Sequence, residues 1–245
     1  LAPSDSATPG PRTIVIVPTY CEIDSLEHVV LGVREAVPSA HVLVVDDNSP
    51  DGTGQLADDL AARDAKVAAL HRSAKDGLGR AYLAGFSWAI EHGFDRIVEM
   101  DADGSHRPAD LPALLAALDD GADAAIGTRW MPGGAVTNWP WHRRLISRAG
   151  TAYARLMLRS RLRDLTSGFR AFERSALEAI DLQHVQGAGY VFQIEVASDL
   201  ERLGLRVDEV PITFIERESG RSKMSTGIVF EAIGWVTKTG LTPRR

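Results

Sequence analysis

Cysteine is almost missing from this 245-residue chain: Cys21 stands alone. No internal disulfide can form, and a reducing compartment suits such a sequence. Lysine is nearly as scarce, four residues against 23 arginines, a ratio that hints at a GC-rich genome and says nothing about chemistry. No apolar run approaches the roughly 20 residues that span a bilayer. No Gly-x-Gly-x-x-Gly follows the first expected strand, which disfavours a dinucleotide-dependent enzyme, and no Gly-x-Ser-x-Gly elbow marks a serine hydrolase. The seven histidines lack metal-ligand spacing; only His106 stands near paired acids. A net charge of −6 argues against general nucleic-acid binding.

What remains is an ordinary globular composition, 44% hydrophobic and 24% charged. The charge is unevenly spread. Between Arg129 and Arg174 there are ten arginines and two acids, whereas Asp46 to Asp64 is acidic. Residues 1–12, rich in Pro, Ser, Gly and Ala, read as a disordered lead-in or linker. Residues 13–245 read as one domain.

Within that domain, short β-branched runs alternate with helical periodicities. Strands are expected at Thr13–Val17, His41–Val45, Lys66–Leu70, Arg96–Met100 and Asp123–Gly127, with helices between them. Later, Leu145, Ala149, Tyr153, Leu156 and Met157 define an amphipathic helix. Another helix is expected over Phe192–Leu203, then a strand over Val207–Ile215 and a terminal helix over Ser225–Thr239. The alternation predicts an α/β, doubly wound, mainly parallel Rossmann-like sheet with C-terminal amphipathic helices. Ligands of such sheets lie beyond the carboxyl ends of the strands. Pro18, Asp46, Asp47, Asp101 and Asp103 all fall at those ends, which predicts one shared crevice.

Asp101-Ala102-Asp103 can offer two carboxylates to a hard cation that bridges them to substrate phosphates; the alternative is a capped polar loop. Asp46-Asp47 suits hydrogen bonding to a base or ribose, or else an Asx-turn with Asp51 capping the next helix. Arg155, Arg159 and Arg161 read as a solvated helix face, whereas Arg129 ends a strand and should face the crevice. Arg217 to Lys223 forms a Gly-containing basic loop suited to clamping phosphate. Trp139-Pro140-Trp141 reads as a lipid-facing loop, with a core edge as the alternative.

The ordered set Pro18-Thr19-Tyr20-Cys21-Glu22, Val45 to Thr53, Gly77-Leu78-Gly79, Met100-Asp101-Ala102-Asp103, Ser105-His106, Gly133-Gly134, Thr166 to Arg170, Gly189-Tyr190, Phe192-Gln193 and Arg217 to Lys223 closely resembles the polyprenol (dolichol) monophosphate mannose synthases of glycosyltransferase family 2, over about Thr13 to Lys223. The resemblance implies a GT-A fold and transfer of mannose from GDP-mannose to a polyprenyl phosphate, with inversion and with Mg2+ or Mn2+. It implies that Pro18, Tyr20, Glu22, Val45 and Asp47 line the guanosine pocket. Asp101, Ala102 and Asp103 would meet metal and diphosphate, with Ser105 as a further metal neighbour. Arg129, Arg143 and Ser147 would hold the acceptor phosphate, and Arg217 and Lys223 would close over the donor. On this reading Asp101, Asp103 and Arg129 carry the chemistry. Three departures stand out: Cys21 where relatives usually have Asn, Val191 where many have Lys, and Ser105 where some have Gln.

A phosphate monoester is already anionic at neutral pH, so it needs positioning and charge shielding more than a base. In-line displacement without an essential base is therefore expected. The lipid acceptor implies a peripheral enzyme at the cytoplasmic face of a membrane. Its amphipathic helices near Leu145 and Ile228 would dock on the bilayer or on an integral-membrane partner or fused membrane domain. Alternatives are UDP-glucose or another sugar nucleotide as donor, a nucleotidyltransferase, and a non-catalytic binding protein.

Overall fold

A computed structural model describes residues 10–182, 185, 189–216 and 226–242, with backbone alone for 226–230. Arg217 and Lys223, and most of the expected lead-in, lie outside the described residues. Arg12, assigned by sequence to that lead-in, is tied down. Its backbone N–H donates to Asp95 at 2.7 Å, and its guanidinium sits 4.5 Å from the Phe94 ring centroid.

The first half follows the expected alternation: β1 (Thr13–Thr19), α1 (Leu26–Ala36), β2 (His41–Asp46), α2 (Thr53–Arg63), β3 (Val67–His71), α3 (Leu78–Glu91), β4 (Arg96–Glu99), α4 (Leu111–Asp119) and β5 (Ala124–Thr128). The second half adds β6 (Ala135–Thr137), α5 (Trp141–Leu158), β7 (Arg170–Glu173), α6 (Arg174–Ala179), α7 (Tyr190–Arg202), β8 (Val207–Pro211), β9 (Thr213–Ile215) and α8 (Thr226–Leu241). The sheet order is β3-β2-β1-β4-β7-β5-β8. All its pairings are parallel except those of β7, which runs antiparallel to both β4 and β5.

The pleat sends alternate residues of each strand to opposite faces. Val15 and Val17 of β1 join Val42 and Val44 of β2 against Leu26, Val30 and Leu60. Ile14 and Ile16 join Leu43 and Val45 against Tyr82, Phe86 and Phe192. Helices thus cover both faces, which accounts for strands that read as continuous apolar runs. At Gly85 the α3 backbone presses on β1, since a Cβ there would stand 2.6 Å from Ile16 Cγ2.

Two expectations need correction. The strand expected over Val207–Ile215 is two strands. Ile212 leaves the main sheet after Pro211, and β9 pairs instead with β6, carrying the chain over the crevice side of the sheet. The apolar residues of α5 divide, Tyr153 and Met157 packing toward α8 while Leu145 and Leu156 face solvent. Thr151, Ala154 and Leu158 are buried, whereas Leu145 and Leu156 are 60% and 77% exposed. The helix packs with α8 through Ala154, Leu158, Tyr153 and Met157, and the Tyr153 and Thr237 hydroxyls meet at 2.5 Å. The Trp139-Pro140-Trp141 loop is split. Trp139 is buried, edge-on to Phe214 at 5.5 Å, and only Trp141 projects to solvent.

Candidate active site

The carboxyl ends of β1, β2, β4 and β5 converge on a crevice of about 400 Å³. Of the residues expected there, Pro18, Tyr20, Glu22, Asp47, Asp101, Ala102, Asp103, Arg129 and Arg143 line it. Three do not. Val45 is buried inside β2, paired in register with Pro18, and shapes the pocket only from behind. Ser105 is buried with its backbone N–H donating to Asp103 Oδ1 at 2.9 Å and its carbonyl accepting from Ile215. It acts as a turn residue that orients Asp103, and His106 takes the lining position. Ser147 lies one turn beyond Arg143 on α5, half-buried and outside the lining. Val191 is core, 1% exposed, so it offers no contact to an anion.

On the acidic side, the two adjacent aspartates at the end of β2 divide their work. Asp46 closes the turn, accepting from the Thr19 and Ser49 hydroxyls at 3.1 and 2.6 Å and from the Ser49 N–H at 3.0 Å. Asp47 reaches the crevice and accepts from Arg72 Nη1 at 2.5 Å. Asp51 takes the N–H and hydroxyl of Thr53, opening α2 as its position suggested. Cys21 holds a left-handed φ of 58°, a conformation Asn tolerates better than Cys. Lys75, beyond β3, stands 3.8 Å from the Tyr20 ring centroid and lines the same wall.

Asp101 is held from two sides. The Tyr82 hydroxyl donates to Oδ1 at 3.1 Å, and the Asp101 backbone N–H donates to His106 Nδ1 at 3.2 Å. That second bond makes Nδ1 an acceptor and leaves the ring proton on Nε2. Burial, opposed by the charges of Asp101 and Asp103, lowers the His106 pKa, so the ring is neutral at pH 7. Burial, reinforced by Asp101 and Glu99, holds the Tyr82 hydroxyl protonated as a donor. Gly168 leaves room here, since a Cβ would stand 3.4 Å from both Asp101 oxygens.

Arginines form the opposite wall. Arg129 Nε and Nη2 grip Asp164 at 2.7 Å each, and Nη2 also donates to Thr166 Oγ1 at 2.8 Å. Burial disfavours both charges, but the pair's mutual attraction and hydrogen bonds win. Asp164 is held below the usual carboxylate range and Arg129 above its ordinary value. The guanidinium is ringed by Trp130, Trp139 and Phe214 at 5.4–5.7 Å. Arg143 is freer. It lies 4.2 Å from the Trp139 centroid and donates to Glu216.

Sequence reasoning missed Arg72, Lys75, Tyr82, Trp139 and Phe214 as parts of this site. Arg72 and Lys75 follow β3 directly, so the strand-end rule that located Asp101 would have found them too.

A family model described as Glycosyl transferase family 2 matches residues 14–181. Undecaprenyl-phosphate mannosyltransferase of Micrococcus luteus is 54% identical over 233 residues, 95% of this chain and 96% of that protein. Polyprenol monophosphomannose synthase of Mycolicibacterium smegmatis is 50% identical over 246 aligned positions, 99% of this chain and 93% of that protein. Among solved structures, glucosyl-3-phosphoglycerate synthase of Mycobacterium tuberculosis with Mn2+, UDP and glucosyl-3-phosphoglycerate has a TM-score of 0.71 at 20% identity. The match covers 96% of this chain and 81% of that one. A mannosyltransferase of Pyrobaculum calidifontis in complex with GDP-Man and Mn2+ has a TM-score of 0.59 at 20% identity, covering 94% and 73%. At that identity these two show the shared fold.

Behind the site, Glu99 of β4 is fully buried opposite Arg170 of β7. Arg170 gives its guanidinium to the carbonyls of Ser167, Gln193 and Leu165 at 2.8–2.9 Å. Neither Glu99 oxygen has a hydrogen-bond partner within 3.5 Å among the described residues. Burial raises the Glu99 pKa to about 7 against the pull of the Arg170 charge and the nearby Gln193 amide. A carboxyl whose folded pKa exceeds its unfolded value stabilises the fold fully below pH 4.5, and that contribution is lost as pH rises through about 7. The expected cost at higher pH is on the order of 2–3 kcal/mol. Glu99→Gln should remove this slope, so its urea-unfolding free energy should gain on the parent's as pH rises across that window. Parallel pH profiles for the two proteins would contradict the assignment.

Proposed function

This chain belongs to glycosyl transferase family 2, and we propose that it transfers mannose, with inversion, from GDP-mannose to a polyprenyl monophosphate. The observation that supports this reading best is the two-signed crevice, with Asp47, Asp101 and Asp103 on one wall and Arg129 and Arg143 on the other. The choice of mannose and a polyprenyl phosphate rests on what two relatives, 54% and 50% identical and matched over nearly their full lengths, are named for.

In this reading Asp47, already oriented by Arg72, receives hydrogen bonds from the guanosine, and Tyr20 with Lys75 closes that wall. Asp101 and Asp103 fit a hard divalent cation. No group of three His, Cys, Asp or Glu able to hold a metal exists among the described residues, and a hard cation at such a pair would draw on substrate phosphate as well. Mg2+ or Mn2+ bound there would neutralise charge on the departing nucleoside diphosphate. The bond from the anomeric carbon to the β-phosphate oxygen breaks as a lipid phosphate oxygen bonds to the opposite face of that carbon. The acceptor arrives deprotonated, so neutral His106 has no proton to take. Its work is to hold the Asp101 backbone. Arg129, fixed by Asp164, and Arg143 would position the acceptor phosphate, with Arg217 and Lys223 of the following loop closing over the donor.

The lipid must also reach this crevice. Among the described residues no helix is long and apolar enough to cross a membrane. We place the chain peripherally on the membrane, at its cytoplasmic face, against the bilayer or an integral-membrane partner. The contact is the solvent face of α5, where Trp141, Leu145 and Leu156 stand 60–77% exposed beside arginines.

Radiolabelled GDP-mannose and polyprenyl phosphate with Mn2+ should yield a mild-acid-labile lipid product. UDP-glucose should not substitute. Asp101→Asn should reduce the rate at least about 100-fold, as for loss of one preorganised charge partner. Glu216→Gln should lower the acceptor KM severalfold without changing the donor KM, because the acceptor phosphate no longer competes with Glu216 for Arg143. Transfer to a soluble acceptor alone would sink the proposal. For the docking face, flotation with anionic liposomes should be lost when Leu145 and Leu156 are both changed to Glu. Flotation retained in that variant would move the contact elsewhere.

A further inference from the structure

A second cavity, of about 370 Å³, lies outside the crevice between Trp130, the middle of α5 and Arg163. None of its lining residues lines the crevice. Trp130 and Trp139 meet edge-on at 6.3 Å and form the wall between the two. Three arginines line this cavity, Arg148, Arg155 and Arg163, and no carboxylate does. Arg148 lies 4.9 Å from the Trp130 ring centroid. No ion pair engages Arg148 or Arg155 among the described residues. Arg163 leans toward Glu209 at 3.9 Å, so it is partly committed.

Two further polar groups share the space. Thr151 is 4% exposed, and neither its hydroxyl nor the buried Trp130 indole nitrogen has a hydrogen-bond partner among the described residues. A helical threonine usually returns its hydroxyl to the carbonyl four residues earlier; Thr151 does not. Buried polar groups are nearly always paired, and the charged side chains that line this cavity are all positive. A tetrahedral oxyanion answers all these groups together, with several acceptor oxygens for the guanidinium forks, the indole N–H and the hydroxyl.

We propose that this cavity is a phosphate-binding site separate from the catalytic crevice, with Arg148 and Arg155 as its clamps and Trp130 and Thr151 as fixed donors. Its ligand is a phosphate group, free or carried on a lipid. The site stands independently of which sugar the crevice transfers.

The test uses the full chain labelled with 15N, without nucleotide, and follows the indole N–H resonance of Trp130, identified by its loss in Trp130→Phe. Inorganic phosphate and dihexanoyl phosphatidic acid are titrated separately. A saturable shift with both assigns the site to phosphate groups in general, and a shift with the lipid alone assigns it to headgroups. In either case Arg148→Gln with Arg155→Gln should weaken binding at least about tenfold, the worth of one charge-assisted hydrogen bond, while the rest of the spectrum stays unchanged. Thr151→Val should weaken it less. Arg143→Gln should leave the titration as it was. The proposal is overturned if Trp130 responds to neither ligand, or if the double variant binds like the parent. It is equally overturned if Arg143→Gln abolishes the shift, since Trp130 would then be reporting on the crevice.

Discussion

The ion pair between Arg129 and Asp164 sits where β5 ends, and it ties together segments that the sheet alone would leave apart. Asp164 is fully buried and accepts the Arg129 backbone N–H at 3.2 Å, two guanidinium bonds and the Thr166 hydroxyl at 3.1 Å. A buried pair this well satisfied recovers its desolvation cost; with one partner removed, the other becomes a stranded charge. Its consequence is positional. The Thr166–Gly168 turn is held against Asp101, and the chain is delivered into β7, the antiparallel strand that interrupts the parallel sheet. Arg129 thereby contributes to the crevice as a fixed charge with three of its guanidinium N–H donors already engaged.

Arg143 has the opposite character. It rests on Trp139 and shares one carboxylate, Glu216, at the threshold of the loop expected to close over the donor. One rigid and one exchangeable guanidinium face a pair of restrained aspartates. In the proposed reading such a crevice would hold two phosphates at once, the leaving diphosphate at the acid wall with a cation and the attacking phosphate at the arginine wall. Electrostatic preorganisation of this kind places charge stabilisation before the substrates arrive.

Much of this was legible in the sequence because parallel strands announce themselves. Thr13–Val17 and His41–Val45 are continuous apolar runs ending in Pro or Asp, and the strand-end rule then places Asp47, Asp101 and Asp103 together. β7 was not legible. Its four residues, Arg-Ala-Phe-Glu, alternate too briefly to signal a strand, and a fully buried arginine contradicts composition-based expectation until its three carbonyl partners are seen. Trp139 and Trp141 sit two residues apart with opposite fates, because a loop has no period to separate inside from outside.

The division of the crevice into a metal-and-diphosphate wall and an acceptor-phosphate wall is tested most directly by GDP binding. Isothermal titration with Mn2+ or with a chelator would compare the parent, Asp103→Asn and Arg143→Gln. The division predicts tight GDP binding that requires Mn2+, is lost in Asp103→Asn and is unchanged in Arg143→Gln. GDP binding that survives chelation at full strength, or that fails in Arg143→Gln while Asp103→Asn still binds, would contradict it.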